Sequence, residues 1–329
     1  MGWIIVLSGF FQWIFLWTVL AFSGIKVRFT LRIWSPKIKK LLLRMGPGVI
    51  GAGVYQLNLF TSDIIASFIP TNAISYLAYA DRLNQLPLSL IGISMGTVLL
   101  PLMAKYFQTQ KIKEALRIQS QALVISFYLS IPAATALFYL SLPIVQTLFP
   151  SKLFSVDVFE AISNVLKAFL LGLPAYIGVK ILGINFFSRG DTKTPVRIAF
   201  LAMICNISLN IVLAYFFSYV GIALGTSIAG WINFFLLAYT LRSNDYFCLN
   251  KDDTKKILFI GLSSLTMLFF LSLIDTYISY IFSSFSKVIY LMIQIFSGFI
   301  LYLILSYILG IIKKADILML LRRNKQRSQ

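Results

Sequence analysis

The sequence contains no histidine. That removes Ser-His-Asp triads, the helix-borne zinc motif of metalloproteases and His-containing zinc sites, because each needs an imidazole as base or ligand. Cysteine is nearly absent too. Cys205 falls inside an apolar run and Cys248 in a basic connection, so the pair supplies neither a thiolate metal cluster nor a structural disulfide of an oxidising compartment. Acidic residues number 11 in 329, and most lie in connections, which leaves paired-carboxylate catalysis few candidates. A transporter is a stronger reading than an enzyme, and no cofactor motif is present. Charge of either sign is scarce: 12% of residues are charged and 59% hydrophobic, with mean hydropathy +0.85, against about 25% and about 45–50% in soluble domains. The chain reads as an integral membrane protein.

What is abundant is long apolar runs. A hydrocarbon core about 30 Å thick needs about 20 helical residues. Runs of that order occupy roughly 3–24, 41–69, 73–104, 118–140, 158–187, 196–217, 221–241, 257–275 and 288–312. Backbone groups in lipid must bond within their own segment, and the alternation of a barrel is missing, so the expected fold is an all-α polytopic bundle of about nine transmembrane helices. The net charge of +18 is not spread evenly. Segments 25–44, 105–117, 188–197, 242–256 and 313–329 hold 24 of the 29 Lys and Arg, and the intervening connections hold only Lys152 and Lys287. The positive-inside rule then places the basic connections and the C-terminus in the cytoplasm and residue 1 outside. Such placement reads as contact with anionic lipid at the cytoplasmic loops rather than with nucleic acid. An outside N-terminus without a basic leader is expected of a chain preceded by further helices, and a reversed signal anchor is the alternative the sequence also permits.

A few ionisable groups fall within the runs: Asp63, Asp81, Arg82, Lys167 and Lys180, with Asp275 and Lys287 near enough to the ends to meet water. A mid-span Arg or Asp costs about 2.5–3.5 kcal/mol on insertion scales, so it faces protein or a watery cavity. Lys167 and Lys180 can snorkel over part of their depth. Arg82 sits about 13 Å deep if its span starts near 73, and adjacent Asp81 points about 100° away and cannot neutralise it. Asp63 on the preceding helix and an anionic substrate are both open as partners. An arginine presents a planar fork of donors suited to phosphate. Pro47, Pro87, Pro132 and Pro174 interrupt spans, as cavity-lining transporter helices do. Segments 47–60 and 174–187 share a Pro, a Gly four residues on and an Asn eleven on (Asn58 and Asn185), a weak inverted-repeat signal.

The stretches RMGPGVIGAGVYQLNLF (44–60), SYLAYADRLNQLPLSLIGISMGTVLLP (75–101) and SRGDTKTPVRIA (188–199) resemble the MurJ/MviN family of lipid II flippases in the MOP exporter superfamily. The resemblance runs from residue 1 to about 312 and corresponds to the last nine of that family's fourteen helices. It implies the last helix of a first lobe plus a basic linker (1–39), a six-helix second lobe (40–242), an extra helix pair forming a groove for the polyprenyl tail (243–312) and a basic cytoplasmic tail (313–329). It also implies a bacterial inner-membrane protein that moves lipid II, an undecaprenyl-diphosphate-linked disaccharide-pentapeptide, by alternating access, with peptidoglycan-synthesis proteins as potential partners. Arg82 of the YADR motif would bind the diphosphate, with Asp81 beside it and Asn58 lining the cavity. Asp63 and Lys180 are candidates for cavity or ion coupling, and Asp191, Lys193 and Pro195 form a loop signature suited to structure or gating. The family's earlier helices have no counterpart in this sequence, which puts transport by this chain alone in doubt. Two other readings stay open: a MOP-type exporter of cationic drugs or polysaccharide-linked lipids, with Asp63 and Asp81 binding a cation, and a nontransporting membrane scaffold.

Overall fold

The computed structural model describes residues 2–23, 35, 38, 53, 56–70, 72–149, 154–281 and 287–311. The chain divides into two units, 1–46 and 47–329. In the first, α1 (Gly2–Phe22) is a 21-residue helix about 31 Å long, enough to cross a bilayer core. Its described side chains are all exposed, Trp13, Trp17 and Phe15 among them. Thr18 and Ser23 turn their hydroxyls back onto carbonyls one turn earlier, which satisfies them without water.

The regular structure of the second unit's described residues is helical: α2 (56–67), α3 (Ala73–Gln108), α4 (Ile112–Tyr139), α5 (Ser141–Leu148), α6 (Val156–Leu170), α7 (Leu173–Ser188), α8 (Lys193–Ser243), α9 (Lys251–Ile281) and α10 (Lys287–Ile308). Six stretches, with α6 and α7 taken together, are long and apolar enough to cross a membrane. At 51 residues, α8 is about 76 Å long, more than two crossings, and it breaks at Ser218 (φ 54°, ψ −138°). Its two halves fold back on each other: a Cβ at Gly221 would lie 2.0 Å from the Leu213 carbonyl oxygen, so only glycine permits this approach. The sequence expectation of two spans meeting at 218–220 is met by this hairpin.

The expected single span over 158–187 is met by one 33-residue stretch, Val156–Ser188, in which two helices, α6 and α7, are parted at Leu171–Gly172. Pro174, in the first turn of α7, cannot donate to the preceding turn. The carbonyls around the break find side chains on the second half of α8. Trp231 Nε1 donates to Leu171 O at 3.0 Å, and Ser227 Oγ to Ala168 O at 2.6 Å. Together α6 and α7 are the buried strut of the unit, with Ile162, Leu166, Leu170, Leu173, Ile177, Ile181 and Leu182 fully enclosed. Around them pack α3, α4 and α8.

The pair α9 and α10 is fastened to α4. At one end of α9, Ser120 Oγ donates to Asp253 Oδ2 at 2.5 Å. Near the other, Asp275 accepts from Tyr139 OH at 3.0 Å, from Tyr290 OH and from Gln294 Nε2 at 2.8 Å. These carboxylates are 22 residues apart, about 33 Å along the helix. Between them, Tyr302 OH on α10 donates to Tyr128 O on α4 at 2.8 Å.

Candidate functional site

A cavity of about 770 Å³ lies within the second unit, walled by α2, α3, α6, α7 and both halves of α8. Pockets that enclose whole small ligands run about 300–1,000 Å³. On α3 the lining residues Leu77, Ala78, Asp81, Asn84, Gln85 and Leu88 recur at three- and four-residue spacing and form one helix face. Asp81 belongs to that face. Gln85 Nε2 donates to its Oδ1 at 3.4 Å, and it has no cationic partner among the described residues. Asn84 is 2% exposed, and its Oδ1 has no hydrogen-bond partner among the described residues.

The other walls continue this polar lining. Asn58 comes from α2, its Oδ1 buried and without a partner among the described residues, as is that of Asn233 on α8. Asp63 lines the cavity beside it and makes no ion pair among the described residues. On α7, Lys180 reaches the cavity with its stem laid against Gly92 of α3, where a Cβ would stand 2.9 Å from Lys180 Cδ. Its ammonium also has no carboxylate partner among the described residues. The amide of Asn210, oriented to donate to the carbonyls of Asn206 and Ile222 (3.2 and 3.1 Å) and accept from Ser62 Oγ (3.1 Å), ties α2 to both halves of the α8 hairpin.

Of the residues singled out from sequence, the cavity therefore gathers Asp81, Asn58, Asp63 and Lys180. Arg82 is not among its lining. One residue on from Asp81 is a turn of about 100°, so Arg82 is exposed on a face shared with Leu86, Leu90 and Ile93, without an ion pair to Asp63 or any other described carboxylate. Asn185, the repeat counterpart of Asn58, lies elsewhere: fully buried, it donates to Gln119 Oε1 at 2.7 Å and Tyr246 O at 3.1 Å. Pro47 and most of the first repeat segment lie outside the described residues. The lining amides Asn84, Gln85, Asn206 and Asn233 were not anticipated; the first two share the helical period of Asp81, a signal already present in the sequence.

The 188–199 loop has a different character. Asp191 Oδ1 accepts from the backbone N–H groups of Lys193 (3.1 Å) and Thr194 (3.0 Å) and so ties off the start of α8. Partial burial alone would raise its carboxyl, but the hydrogen bonds from Thr194 and Lys193 and the charge of Arg189 outweigh this and hold it below the usual carboxylate value. Pro195 is buried in the first turn, where its missing N–H costs nothing, and Lys193 is exposed. Arg189 stacks its guanidinium 3.7 Å from the centre of the Tyr246 ring while its Nε donates to Asn185 O at 3.3 Å. These contacts fasten the chain after α8 to the end of α7.

Residues 1–296 match the family model for lipid II flippase MurJ. A probable lipid II flippase MurJ of Rickettsia prowazekii (strain Madrid E) is 40% identical over 233 residues, covering 71% of this chain and 46% of that protein. One from Rhizobium meliloti (strain 1021) is 36% identical over 241 residues, 73% of this chain and 45% of that protein. Among solved structures, lipid II flippase MurJ in an inward closed conformation superposes with TM-score 0.69 at 30% identity over 86% of this chain and 56% of that one. A MOP superfamily transporter from Pyrococcus furiosus, at 20% identity and TM-score 0.51 over 74% of this chain and 55% of that one, shares the fold. The chain spans about half the length of the curated relatives it matches. It is a multi-pass inner-membrane protein and belongs to the lipid II flippase MurJ family.

Proposed function

We propose that the chain supplies the second lobe of a lipid II flippase, which carries an undecaprenyl-diphosphate-linked disaccharide-pentapeptide from the cytoplasmic to the periplasmic leaflet by alternating access. The observation that supports this most is a cavity among apolar helices whose walls carry amide, carboxylate and ammonium groups beside apolar ones. A head group rich in hydroxyls and amides loses its hydrogen bonds in hydrocarbon, at several kcal/mol for each group left unpaired. Amide and carboxylate side chains of α2, α3 and α8 replace part of the lost water. The breaks at Leu171–Gly172 and Ser218 give the walls places to bend.

In this reading Arg82, on the α3 face next to the cavity face, meets the diphosphate. An unpaired guanidinium at that depth is disfavoured against acyl chains, and a bidentate phosphate contact relieves the cost. The basic connections and C-terminus face the cytoplasm, where they contact anionic lipid. Lipid II translocation in cells depleted of their own flippase tests the assignment. Arg82→Ala in the intact protein is expected to abolish complementation at unchanged membrane level, and Arg82→Lys to restore it in part, since an ammonium keeps the charge but loses the fork. Full complementation by Arg82→Ala would refute the role.

One observation favours a second reading. Two carboxylates, Asp63 and Asp81, line the cavity while Arg82 does not, as a carrier of organic cations would require. Tighter binding of an organic cation than of a polyprenyl diphosphate would decide for it.

A further inference from the structure

The charges of the cavity are sorted along its length. Asp81 stands on α3, with Asp63 on α2 contributing a second carboxylate to the lining, and Lys180 approaches from α7 at the level of Gly92. Positions 81 and 92 are eleven residues apart on one helix, about 16 Å along its axis. No ion pair joins the lysine to either acid, although all three share the space. The uncharged polar lining includes carboxamides set among apolar side chains. Asn84, 98% buried by its 2% exposure, keeps an Oδ1 unpartnered among the described residues, and Asn58 and Asn233 do likewise. An acid pole and a basic pole held apart, with carboxamides that both donate and accept among the lining, describe the complement of a molecule with a cation at one end and an anion at the other.

We propose that this cavity is a subsite for a zwitterionic peptide segment, its ammonium toward Asp81 and Asp63 and its carboxylate toward Lys180, with the chain between them running past the side chains of Asn58, Asn84 and Asn233. An extended chain spans at most about 3.3–3.6 Å per residue, so about five residues bridge the poles. Gly92 is a positioning residue: with no Cβ it opens the slot along which the lysine stem runs. The inference deepens the lipid II reading and rests on it for the source of the peptide, but the recognition itself is a property of this cavity. Diphosphate is left to Arg82, outside it.

Calorimetric titration of the purified chain in lipid nanodiscs tests this with the peptide acetyl-Lys-Ala-Ala-Ala-Ala, which has one ammonium, one carboxylate and about the required span. Acetylating its lysine, or amidating its C-terminus, is expected to weaken binding at least tenfold. The Asp63→Asn/Asp81→Asn protein should no longer distinguish the lysine-acetylated form while still penalising the amidated one. Lys180→Met should show the reverse. Retention of the other discrimination in each variant reports an intact cavity, and the two edited peptides test the parent without any substitution. Equal binding of capped and uncapped peptides, no binding, or penalties that do not follow the substitutions would overturn the subsite. Undecaprenyl diphosphate titrated into the same preparation separates the two claims. Its binding without peptide binding sinks the subsite alone, peptide binding without it keeps the subsite and counts against the lipid carrier, and failure of both removes both.

Discussion

Adding a methyl group at Gly221 and at Gly92 is the same chemical change with opposite expected outcomes. At Gly221 the new Cβ would stand 2.0 Å from Leu213 O, 2.3 Å from its carbonyl carbon and 2.7 Å from Ala214 N, all backbone, where ordinary contact begins at 3.4 Å. Only parting the two halves of α8 relieves the clash, which places the cost at or above the top of the usual overpacking range, about 3 kcal/mol. Helix propensity returns about 1 kcal/mol, leaving a net loss of about 2 kcal/mol or more. At Gly92 the methyl meets Lys180 Cδ at 2.9 Å, and a lysine stem can swing aside. Propensity and displacement then nearly cancel, and Gly92→Ala should stay within about 1 kcal/mol of the parent. Denaturant unfolding in detergent micelles, followed by circular dichroism, measures both. Equal stability of Gly221→Ala and the parent would show that the α8 hairpin is not packed at backbone contact, and the cavity wall built on it would fall with it.

Other perturbations have signs set by the same contacts. Asp275→Asn replaces a carboxylate that accepts from three donors by an amide that turns an NH2 donor toward them, so unfolding stability should drop by about 1–3 kcal/mol, whereas Tyr139→Phe removes one bond and should cost about 1 kcal/mol; no change in either would refute the α4 clamp. Asp191 has a depressed carboxyl, so its charge contributes stability that is complete above its unfolded value near 3.9 and lost as pH falls through the lower folded value. The stability gap between parent and Asp191→Asn, followed by melting from pH 7 to pH 2, should be constant above about pH 4.5 and close on acidification; a gap that widens in acid would contradict the loop geometry. Tyr246→Leu removes the ring under Arg189 and should cost about 0.5–2 kcal/mol, measured in the same unfolding assay.

Much of the architecture is legible as hydrophobic length, because a bilayer imposes one ruler on every span. The α8 turn is visible in sequence as a short polar interruption around Ser218. The break at Leu171–Gly172 is not, since Pro174 and Gly172 alone are compatible with a kinked continuous helix. What accompanies it is donation from Trp231 and Ser227, some 60 residues away, to the carbonyls of Leu171 and Ala168. Asp81 and Arg82 show the same boundary at the site. Helix geometry says that one of two adjacent charges enters a given cavity, but which one depends on how α3 rolls against α4, α6 and α7. The amide lining was half readable, as Asn84 and Gln85 share the Asp81 face, while Asn206 and Asn233 join it only through the hairpin. Asp275 looked solvated from its position near a span end, yet three side chains from α4 and α10 hold it.

The central claim, a protein that receives a lipid-linked diphosphate, meets its most direct test in native mass spectrometry of the intact protein with lipid II, undecaprenyl diphosphate and an organic cation presented together. The account predicts lipid II adducts that outlast the other two, and that fall at least tenfold with Arg82→Ala. Adducts of the cation in preference to both lipids, unchanged by that substitution, would contradict it.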